Sequence, residues 1–425
     1  MLRPTLRWRG KVLEALGSTI ESAGPLCSVG ESCEIVRSTG ERHLAEVIGF
    51  RGSTVLSMPV ESPEGIRFGD WVEASGQRPH IEVGEGLIGR VLNALGEPID
   101  GGGRPQVNEV IPLEGVIPHP LERTPIRLPL GSGIRAIDGL LTVGRGQRVG
   151  IFGGSGVGKS TLIGMMTRNS DAEVIVVGLV GERGREVGEF LRESLGPEGR
   201  KRAVVIASTS NQSPLMRIRA ALAATSIAEY FAGLGRHVLL VLDSMTRFAM
   251  AARELGLAAA EPPTTKGYTP SVFNRLARLI ERAGQFRRGS ITAFYTVLME
   301  GDDQQDPIVD SVRSFLDGHV MLSRAMAAED WYPPISILDS VSRLMPSVAS
   351  EQHREAASLV RRLLATHARS EDLIRIGAYK SGVDRELDRA IQSYARIRSY
   401  LEQDSREDVT FPTAVDQLIS LSGAL

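Results

Sequence analysis

The chain has 425 residues, of which 42% are hydrophobic, and a formal net charge of −2 at pH 7. That length predicts two or three globular domains, and the balanced charge excludes a chain-wide electrostatic attraction to nucleic acid. No apolar run approaches the roughly 20 residues that span a bilayer, and the basic first residues lack the apolar segment of a signal peptide. The only two cysteines, Cys27 and Cys33, predict reduced thiols in a cytoplasmic protein.

Residues 10 to about 75 form a region of short predicted strands separated by glycine-containing turns. The runs at 33–36, 44–48 and 53–58 are three of these strands. Strands at such close spacing are typical of a small β-barrel or β-sandwich.

From about Gly76 the pattern changes to an alternation of strands and helices. The unbroken aliphatic runs at 173–180, 204–207 and 238–242 are typical of strands that helices cover on both faces. The middle of the chain is therefore predicted to be a mostly parallel sheet between helical layers.

Beyond Pro346 apolar residues recur at helical spacing, which predicts a C-terminal helical region. These changes of pattern divide the chain into three predicted domains. Their ranges are 1–75, 76–345 and 346–425.

The run GGSGVGKS at 153–160 matches the phosphate-binding pattern G-x-x-x-x-G-K-[ST], and it stands between a predicted strand and a predicted helix. In that setting backbone N–H groups close around a polyphosphate at a helix N-terminus, where the helix dipole favours negative charge. Lys159 is expected to reach the outer phosphates, and the Ser160 hydroxyl to bind Mg²⁺. The chain is therefore predicted to bind a nucleoside triphosphate. The predicted nucleotide-binding residues of this loop are Gly153, Gly154, Ser155, Gly156, Val157, Gly158, Lys159, Ser160 and Thr161.

Two carboxylates follow predicted strands and are candidates for the chemistry of hydrolysis. Asp243 ends the third aliphatic run, at the edge where α/β sheets bind ligands, so we predict that it supports Mg²⁺. The alternative for Asp243 is a helix N-cap. Glu182 follows the first run, where it is placed to orient an attacking water and partly deprotonate it. The alternative for Glu182 is a carboxylate favoured by a helix dipole, a role that Glu186 and Glu189 fit better.

Four arginines near these motifs are candidates for stabilising charge on the phosphates. Such an arginine contributes about 10³–10⁵ in rate and is often delivered by another subunit. Sequence pattern alone does not rank Arg183, Arg185, Arg247 and Arg343 for this role.

Together with the phosphate loop, several motifs resemble the rotary ATPase superfamily. They include GERGRE at 181–186, LDSMTRF at 242–248 and DSVSR at 339–343, with LIGRVL at 87–92 and GEPIDG at 96–101 upstream. The resemblance therefore extends over most of the chain.

Within that superfamily the chain is most similar to the flagellar and type III secretion export ATPases. This narrower resemblance is carried by EPPTTKGY at 261–268, PSVF at 270–273 and ITAFYTVL at 291–298. The stretches EGDDQQDP at 300–307 and IGAY at 376–379 favour the flagellar branch.

The resemblance implies an α/β fold: a RecA-like P-loop ATPase core with an N-terminal β-barrel and a C-terminal helical domain. It also implies a homohexamer that binds ATP and Mg²⁺ between its subunits. By motif position, Glu182 corresponds to the catalytic carboxylate, with Arg183 beside it, and Asp243 to the Walker B aspartate that supports Mg²⁺.

Three further residues receive roles from the same resemblance. Arg247 corresponds to an arginine near the phosphates, and Arg343 to the arginine finger that reaches across the subunit interface. Tyr332 corresponds to the aromatic residue that packs on adenine.

The partners that the resemblance implies are a stator-like regulatory protein, a central stalk protein, the export gate, export substrates and their chaperones. It places the protein in the cytoplasm, peripheral to the cytoplasmic face of the inner membrane, and without nucleic acid. Only nine residues precede Gly10, fewer than flagellar members carry before the barrel. We expect that the stator-like partner docks differently, that the contact is weakened, or that the natural start lies upstream.

Three other functions stay open at this point. A catalytic subunit of an ATP synthase or vacuolar-type pump shares the nucleotide chemistry, but the C-terminal region lacks the acidic stretch expected there. A hexameric RNA translocase needs patterned aromatic residues in its barrel, and here they are sparse. A non-enzymatic nucleotide-binding subunit has no need of the carboxylate at Glu182.

Overall fold

A computed structural model describes residues 8–299, 303 and 305–425. The stretch at 300–307, which favours the flagellar branch, therefore lies partly outside the described residues. In the described part of the chain, no helix combines the length and the apolar character needed to cross a bilayer.

The N-terminal strands close into a six-stranded barrel in the order β1-β2-β5-β4-β3-β6. Alternate side chains point inward, among them the fully buried Ile20, Ile35 and Val72, and form a small core of their own. The prediction of short strands is confirmed, and the closed order decides for a barrel over a sandwich. The six strands are β1 (Arg9–Leu16), β2 (Thr19–Ala23), β3 (Ser32–Val36), β4 (Arg42–Arg51), β5 (Thr54–Pro59) and β6 (Trp71–Ala74).

The segment after the barrel differs from the predicted alternation of strands and helices. It contains three short strands, β7 (His80–Val83), β8 (Val91–Leu92) and β9 (Glu109–Pro112), and β7 pairs with β9 outside the main sheet. The alternation begins only at helix α1 (Arg135–Leu140). Glycine and proline are frequent between 96 and 129, and both residues oppose helix formation.

A nine-stranded sheet forms the centre of the molecule, in the order β19-β18-β12-β17-β15-β13-β14-β8, with β16 beside β17. Strands β18, β12, β17, β15, β13, β14 and β8 are parallel, whereas β19 is antiparallel to β18. The remaining strands are β10 (Pro129–Leu130), β11 (Val143–Gly144), β12 (Arg148–Gly153), β13 (Val174–Glu182), β14 (Ala203–Thr209), β15 (His237–Asp243), β16 (Gly284–Gln285), β17 (Ser290–Leu298), β18 (Gly318–Leu322) and β19 (Ile335–Ser342).

Helices cover both faces of this sheet, which explains the unbroken aliphatic runs. Neighbouring residues of β13 point to opposite faces, so Val176 joins one core and Ile175 the other. The helices after α1 are α2 (Lys159–Asn169), α3 (Gly184–Glu189), α4 (Gly196–Arg202), α5 (Pro214–Gly233), α6 (Met245–Ala258), α7 (Pro270–Ile280), α8 (Pro307–Ser314), α9 (Arg324–Ala328), α10 (Met345–Val348), α11 (Glu351–Arg375), α12 (Arg385–Leu401) and α13 (Phe411–Ala424).

The predicted C-terminal helices are present as α11, α12 and α13, which pack with α1 and α2 on one face of the sheet. Buried Arg135 ties them to the core, since its backbone N–H donates to Gln403 Oε1 at 2.8 Å and its Nε to the Tyr400 carbonyl at 2.9 Å. The helical region is therefore attached through polar contacts as well as apolar packing.

The barrel is attached to the sheet layer through a buried ion pair between Glu46 of β4 and Arg219 of α5, at 3.1 Å. Glu46→Ala would leave the guanidinium, whose side chain is 5% exposed, without its partner. Breaking a buried pair on one side costs about 3–5 kcal/mol, so we expect a loss of that size in the free energy of unfolding. Urea denaturation followed by circular dichroism measures it.

The control for this experiment is Glu34→Ala, which removes an exposed ion pair with Arg42 from the same barrel. Exposed pairs contribute little, so the control should leave the urea midpoint almost unchanged. Equal shifts in the two variants would contradict the stabilising role of Glu46.

Candidate active site

The predicted site residues meet at one edge of the sheet. Strands β12, β15 and β13 are parallel, so their carboxyl ends lie together, and they deliver the phosphate loop, Asp243 and Glu182 respectively. This is the edge at which α/β sheets bind ligands.

The phosphate loop has the conformation that its glycines allow. Gly156 and Gly158 have φ values of 79° and 91°, in the left-handed region where a side chain is strained. Ser155, Gly156, Ser160 and Thr161 are exposed, so the loop is open to a ligand at the N-terminus of α2.

Lys159 lies folded against this loop. Its Nζ donates to the carbonyls of Gly153 and Gly154 at 3.1 and 2.7 Å, and the residue is 8% exposed. Burial lowers the pKa of Lys159 to about 8, while the nearby carboxylates of Asp243 and Glu182 oppose that shift. The ammonium is therefore charged at neutral pH, as phosphate binding requires.

Asp243 is the last residue of β15 and is buried beside the loop. Burial raises its pKa, and the hydrogen bond from Thr296 Oγ1 to Asp243 Oδ1, 2.6 Å long, opposes that change. The alternative of an N-cap is wrong for Asp243, because Ser244 caps α6 by accepting from the Arg247 N–H. Sequence reasoning did not single out Thr296, although a polar residue in an aliphatic strand was a usable signal.

Glu182 is the last residue of β13, with 12% of its side chain exposed. Burial raises its pKa to about 8, and the negative charge of Asp243 and a hydrogen bond with Glu186 act in the same direction. The guanidinium of Arg247, with Nη2 3.2 Å from Glu182 Oε2, opposes the shift. Glu182 is thus a carboxyl that titrates close to neutral pH.

Glu186 was predicted only as a carboxylate at a helix start, and it also takes part in the site. It does lie in the first turn of α3, as expected, but it also shares a hydrogen bond with Glu182. The turn between β13 and α3 brings these carboxyls together. The spacing of residues in the sequence does not predict the conformation of that turn.

Of the candidate arginines Arg183 and Arg247, the second joins the cluster and the first does not. Arg247 also donates from Nη1 to the Gly181 carbonyl, which holds it beside Glu182. The Arg183 side chain is 76% exposed, and its Nη1 lies 3.4 Å from Glu186 Oε1.

Tyr332 lies at the border of the phosphate loop. A Cβ atom added to Gly158 would lie 3.6 Å from Cε1 of the Tyr332 ring, and this ring is partly exposed. An open aromatic face beside the loop is a suitable surface for stacking a nucleotide base.

Arg343 lies at the opposite edge of the sheet. It follows β19, and its N–H donates to the Asp317 carbonyl just before β18, whereas the phosphate loop follows the other end of β12. The length of β12, from Arg148 to Gly153, separates the two edges by roughly 16 Å. The fold therefore does not bring Arg343 to the phosphate loop of its own chain.

The residues present fit a magnesium ion. Ser160 offers an exposed hydroxyl at the start of α2, and Asp243 a carboxylate that is already held by Thr296. Mg²⁺ prefers such oxygen ligands, with waters and substrate phosphates completing its shell.

Comparison with known proteins identifies the family. The nucleotide-binding domain of the ATP synthase alpha/beta family matches residues 133–342, and the T3SS EscN ATPase C-terminal domain matches residues 349–420. The flagellum-specific ATP synthase of Bacillus subtilis (strain 168) is 50% identical over 416 residues, which are 97% of this chain and 95% of the relative. The type 3 secretion system ATPase of Sinorhizobium fredii is 46% identical over 415 residues, 97% of this chain and 92% of the relative.

The chain belongs to the family of flagellar and type III secretion ATPases. Two solved structures agree with this assignment: the assembled ATPase EscN of enteropathogenic E. coli, and EscN in complex with its central stalk EscO. They are 42% and 41% identical, have TM-scores of 0.91 and 0.90, and each covers 97% of this chain and 100% of its own.

The predicted resemblance and fold class are confirmed by these matches, and the chain is an ATPase of this family. The match of the EscN C-terminal domain argues against a catalytic subunit of an ATP synthase. The relatives above include both flagellar and secretion-system ATPases.

Proposed function

We propose that this chain hydrolyses ATP as one subunit of a homohexameric ring that energises or gates protein export through a flagellar or related type III secretion apparatus. The observation that carries the proposal is the cluster of Lys159, Glu182, Asp243 and Arg247 beside an open phosphate loop. A strand–loop–helix without this cluster would bind a nucleotide but would lack the groups for its hydrolysis.

Each residue of the cluster has a distinct task. Lys159 and the loop N–H groups hold the phosphates, while Ser160 and Asp243 would hold Mg²⁺, which when bound offsets negative charge on the β and γ phosphates. Glu182 orients a water for in-line attack on the γ-phosphorus and takes its proton, and the bond to the β–γ bridging oxygen breaks. Arg247 keeps Glu182 in place through their 3.2 Å contact.

The position of Arg343 supports a ring. If this arginine stabilises the transition state, it must act on a neighbouring chain, because it lies across the sheet from its own loop. A contact between two different surfaces of identical subunits closes into a ring when the rotation permits. The assembled state of the relative EscN supports such a ring here.

The complex of EscN with EscO supports a central stalk protein as a partner of this chain. We extend the proposal to a stator-like regulator, the export gate, and export substrates with their chaperones, all met at the cytoplasmic face of the inner membrane. The ring would use residues 1–75 as its barrel domain, 76–345 as its ATPase domain and 346–425 as its helical domain, with Tyr332 against adenine.

The test of nucleotide binding is Lys159→Ala. The ammonium makes charge-assisted hydrogen bonds to phosphate, worth about 1.5–3 kcal/mol, so we expect Kd for ATP to rise by about 10- to 150-fold. Titration calorimetry with Mg²⁺ present measures this change, and phosphate release should be lost in the same variant.

Lys201→Ala is the matched control, since Lys201 is an exposed lysine paired with Glu198 on α4. It should keep the affinity and the turnover of the unmodified protein. Unchanged ATP binding in Lys159→Ala would contradict the assignment of this loop as the phosphate-binding site.

A further inference from the structure

A stack of aromatic and cationic side chains joins the loop that carries Tyr332 to the C-terminal helices. The Trp331 and Tyr394 rings meet edge to face with centroids 6.3 Å apart, and Tyr394 stacks on His367 of α11 at 3.8 Å. The Arg398 guanidinium lies over the Trp331 ring, 4.9 Å from its centroid. We call these four residues the aromatic stack.

Trp331 is fixed in this position. Its side chain is buried, and its backbone N–H donates to the Met326 carbonyl at 3.0 Å. Arg398 also pairs with Glu402, its Nε lying 2.7 Å from Glu402 Oε1. Burial of the Trp331 ring holds the centre of the stack in place.

Tyr332 follows Trp331 directly and is held by the same helical region. The Tyr332 carbonyl accepts a hydrogen bond of 3.0 Å from the Gln403 N–H, two residues after α12 ends. The chain on both sides of the Tyr332 ring is thus anchored to the end of α12, while the ring itself borders Gly158.

We propose that the aromatic stack positions Tyr332 for the nucleotide base, so that base recognition depends on the C-terminal helices. Trp331 and Arg398 act as positioning residues, since the ring that borders the loop is that of Tyr332. This inference rests on the proposed function, because it takes the loop at 153–160 as the phosphate site.

The stack should affect binding of the base and leave binding of the phosphates unchanged. Lys159 and the loop belong to β12 and α2, and none of the contacts of the aromatic stack involves them. Removing a cation from the face of an aromatic ring should change the equilibrium between arrangements of the stack by about threefold to tenfold.

The experiment compares ADP, which has a base, with inorganic pyrophosphate, which has none. We expect Arg398→Ala to raise Kd for ADP by about threefold to tenfold and to leave Kd for pyrophosphate unchanged. Arg398→Lys keeps a cation and should recover part of the affinity. Tyr332→Ala should show the same selective loss as Arg398→Ala.

Arg396→Ala is the control on the same helix, since Arg396 donates to the Ala424 carbonyl, away from the stack. It should leave both affinities unchanged. Equal thermal melting of the variants would show that each is folded.

The outcomes separate this inference from the proposed function. If Tyr332→Ala weakens ADP selectively and Arg398→Ala does not, the inference is wrong and the proposed function stands. Equal losses for ADP and pyrophosphate in Arg398→Ala, or no effect of Tyr332→Ala, would also overturn it. If Lys159→Ala changes neither affinity, the phosphate site itself is wrong.

Tryptophan fluorescence gives a second readout that a purely structural role would not change. The chain has three tryptophans, so Trp8→Phe with Trp71→Phe leaves Trp331 as the only one. ADP should change the Trp331 emission and pyrophosphate should not. Identical responses to the two ligands would contradict positioning of the base through the stack.

Discussion

Glu182→Gln is expected to bind ATP with nearly unchanged affinity and to lose about 10²–10⁴ in kcat. The amide keeps the size of the side chain but accepts no proton, so the attacking water stays weakly nucleophilic. The phosphate contacts belong to Lys159 and the loop, which this change does not alter. Phosphate release measures kcat, and calorimetry measures the affinity.

The same carboxyl predicts how activity depends on pH. Because burial, Asp243 and Glu186 raise the pKa of Glu182 to about 8, the group is protonated below that pH and cannot act as a base. We therefore expect kcat/KM to rise with pH toward about 8, as the carboxylate forms, and to fall at higher pH, as the Lys159 ammonium, whose pKa is also about 8, loses its charge. The residual activity of Glu182→Gln should lack this rise.

Glu189→Gln is the matched control for both measurements. Glu189 lies on α3 near the site, but its side chain is partly exposed and contacts Arg185 instead of the cluster. This control should keep the turnover and the pH profile of the unmodified protein. Full activity in Glu182→Gln would show that another residue acts as the base.

The parts of the site that local sequence determines were predictable. The phosphate loop is a continuous motif, and Asp243 and Glu182 each end an aliphatic run, so their places at the sheet edge followed from the rule for parallel strands. Their positions at this edge agree with the prediction, while their roles stay predictions.

The contacts between these residues were not predictable, because they depend on the order of the strands. Thr296 meets Asp243 since β17 lies between β12 and β15, and Arg247 meets Glu182 since α6 follows the strand next to β13. Strand order is a property of the whole sheet and leaves no signal in a local pattern.

The barrel and the segment after it show the same limit. Short runs between glycine-containing turns predicted β3, β4 and β5, whereas closure into a barrel required the pairing of β1 with β6. The short pair of β7 and β9 was missed because two four-residue strands resemble the loops around them. The predicted start of strand–helix alternation at Gly76 was wrong for this reason.

Arg343→Ala is expected to lower kcat by about 10³–10⁵ while nucleotide binding by isolated subunits stays nearly the same. The backbone of Arg343 lies across the sheet from the phosphate loop of its own chain, so removal of the side chain should leave that loop intact. Phosphate release at several protein concentrations measures the effect. Activity per subunit that is independent of concentration, and that this change does not reduce, would contradict a shared site.

Mixing two inactive variants decides whether the site is shared between subunits. A Glu182→Gln subunit still carries Arg343, and an Arg343→Ala subunit still carries Glu182. A ring assembled from both variants therefore contains some interfaces at which an intact Glu182 meets an intact Arg343. Random assembly of equal amounts restores about a quarter of the sites when one subunit's arginine faces the next subunit's loop. If both groups had to come from one chain, every site in the mixture would lack one of them, and the mixture would stay as inactive as its components.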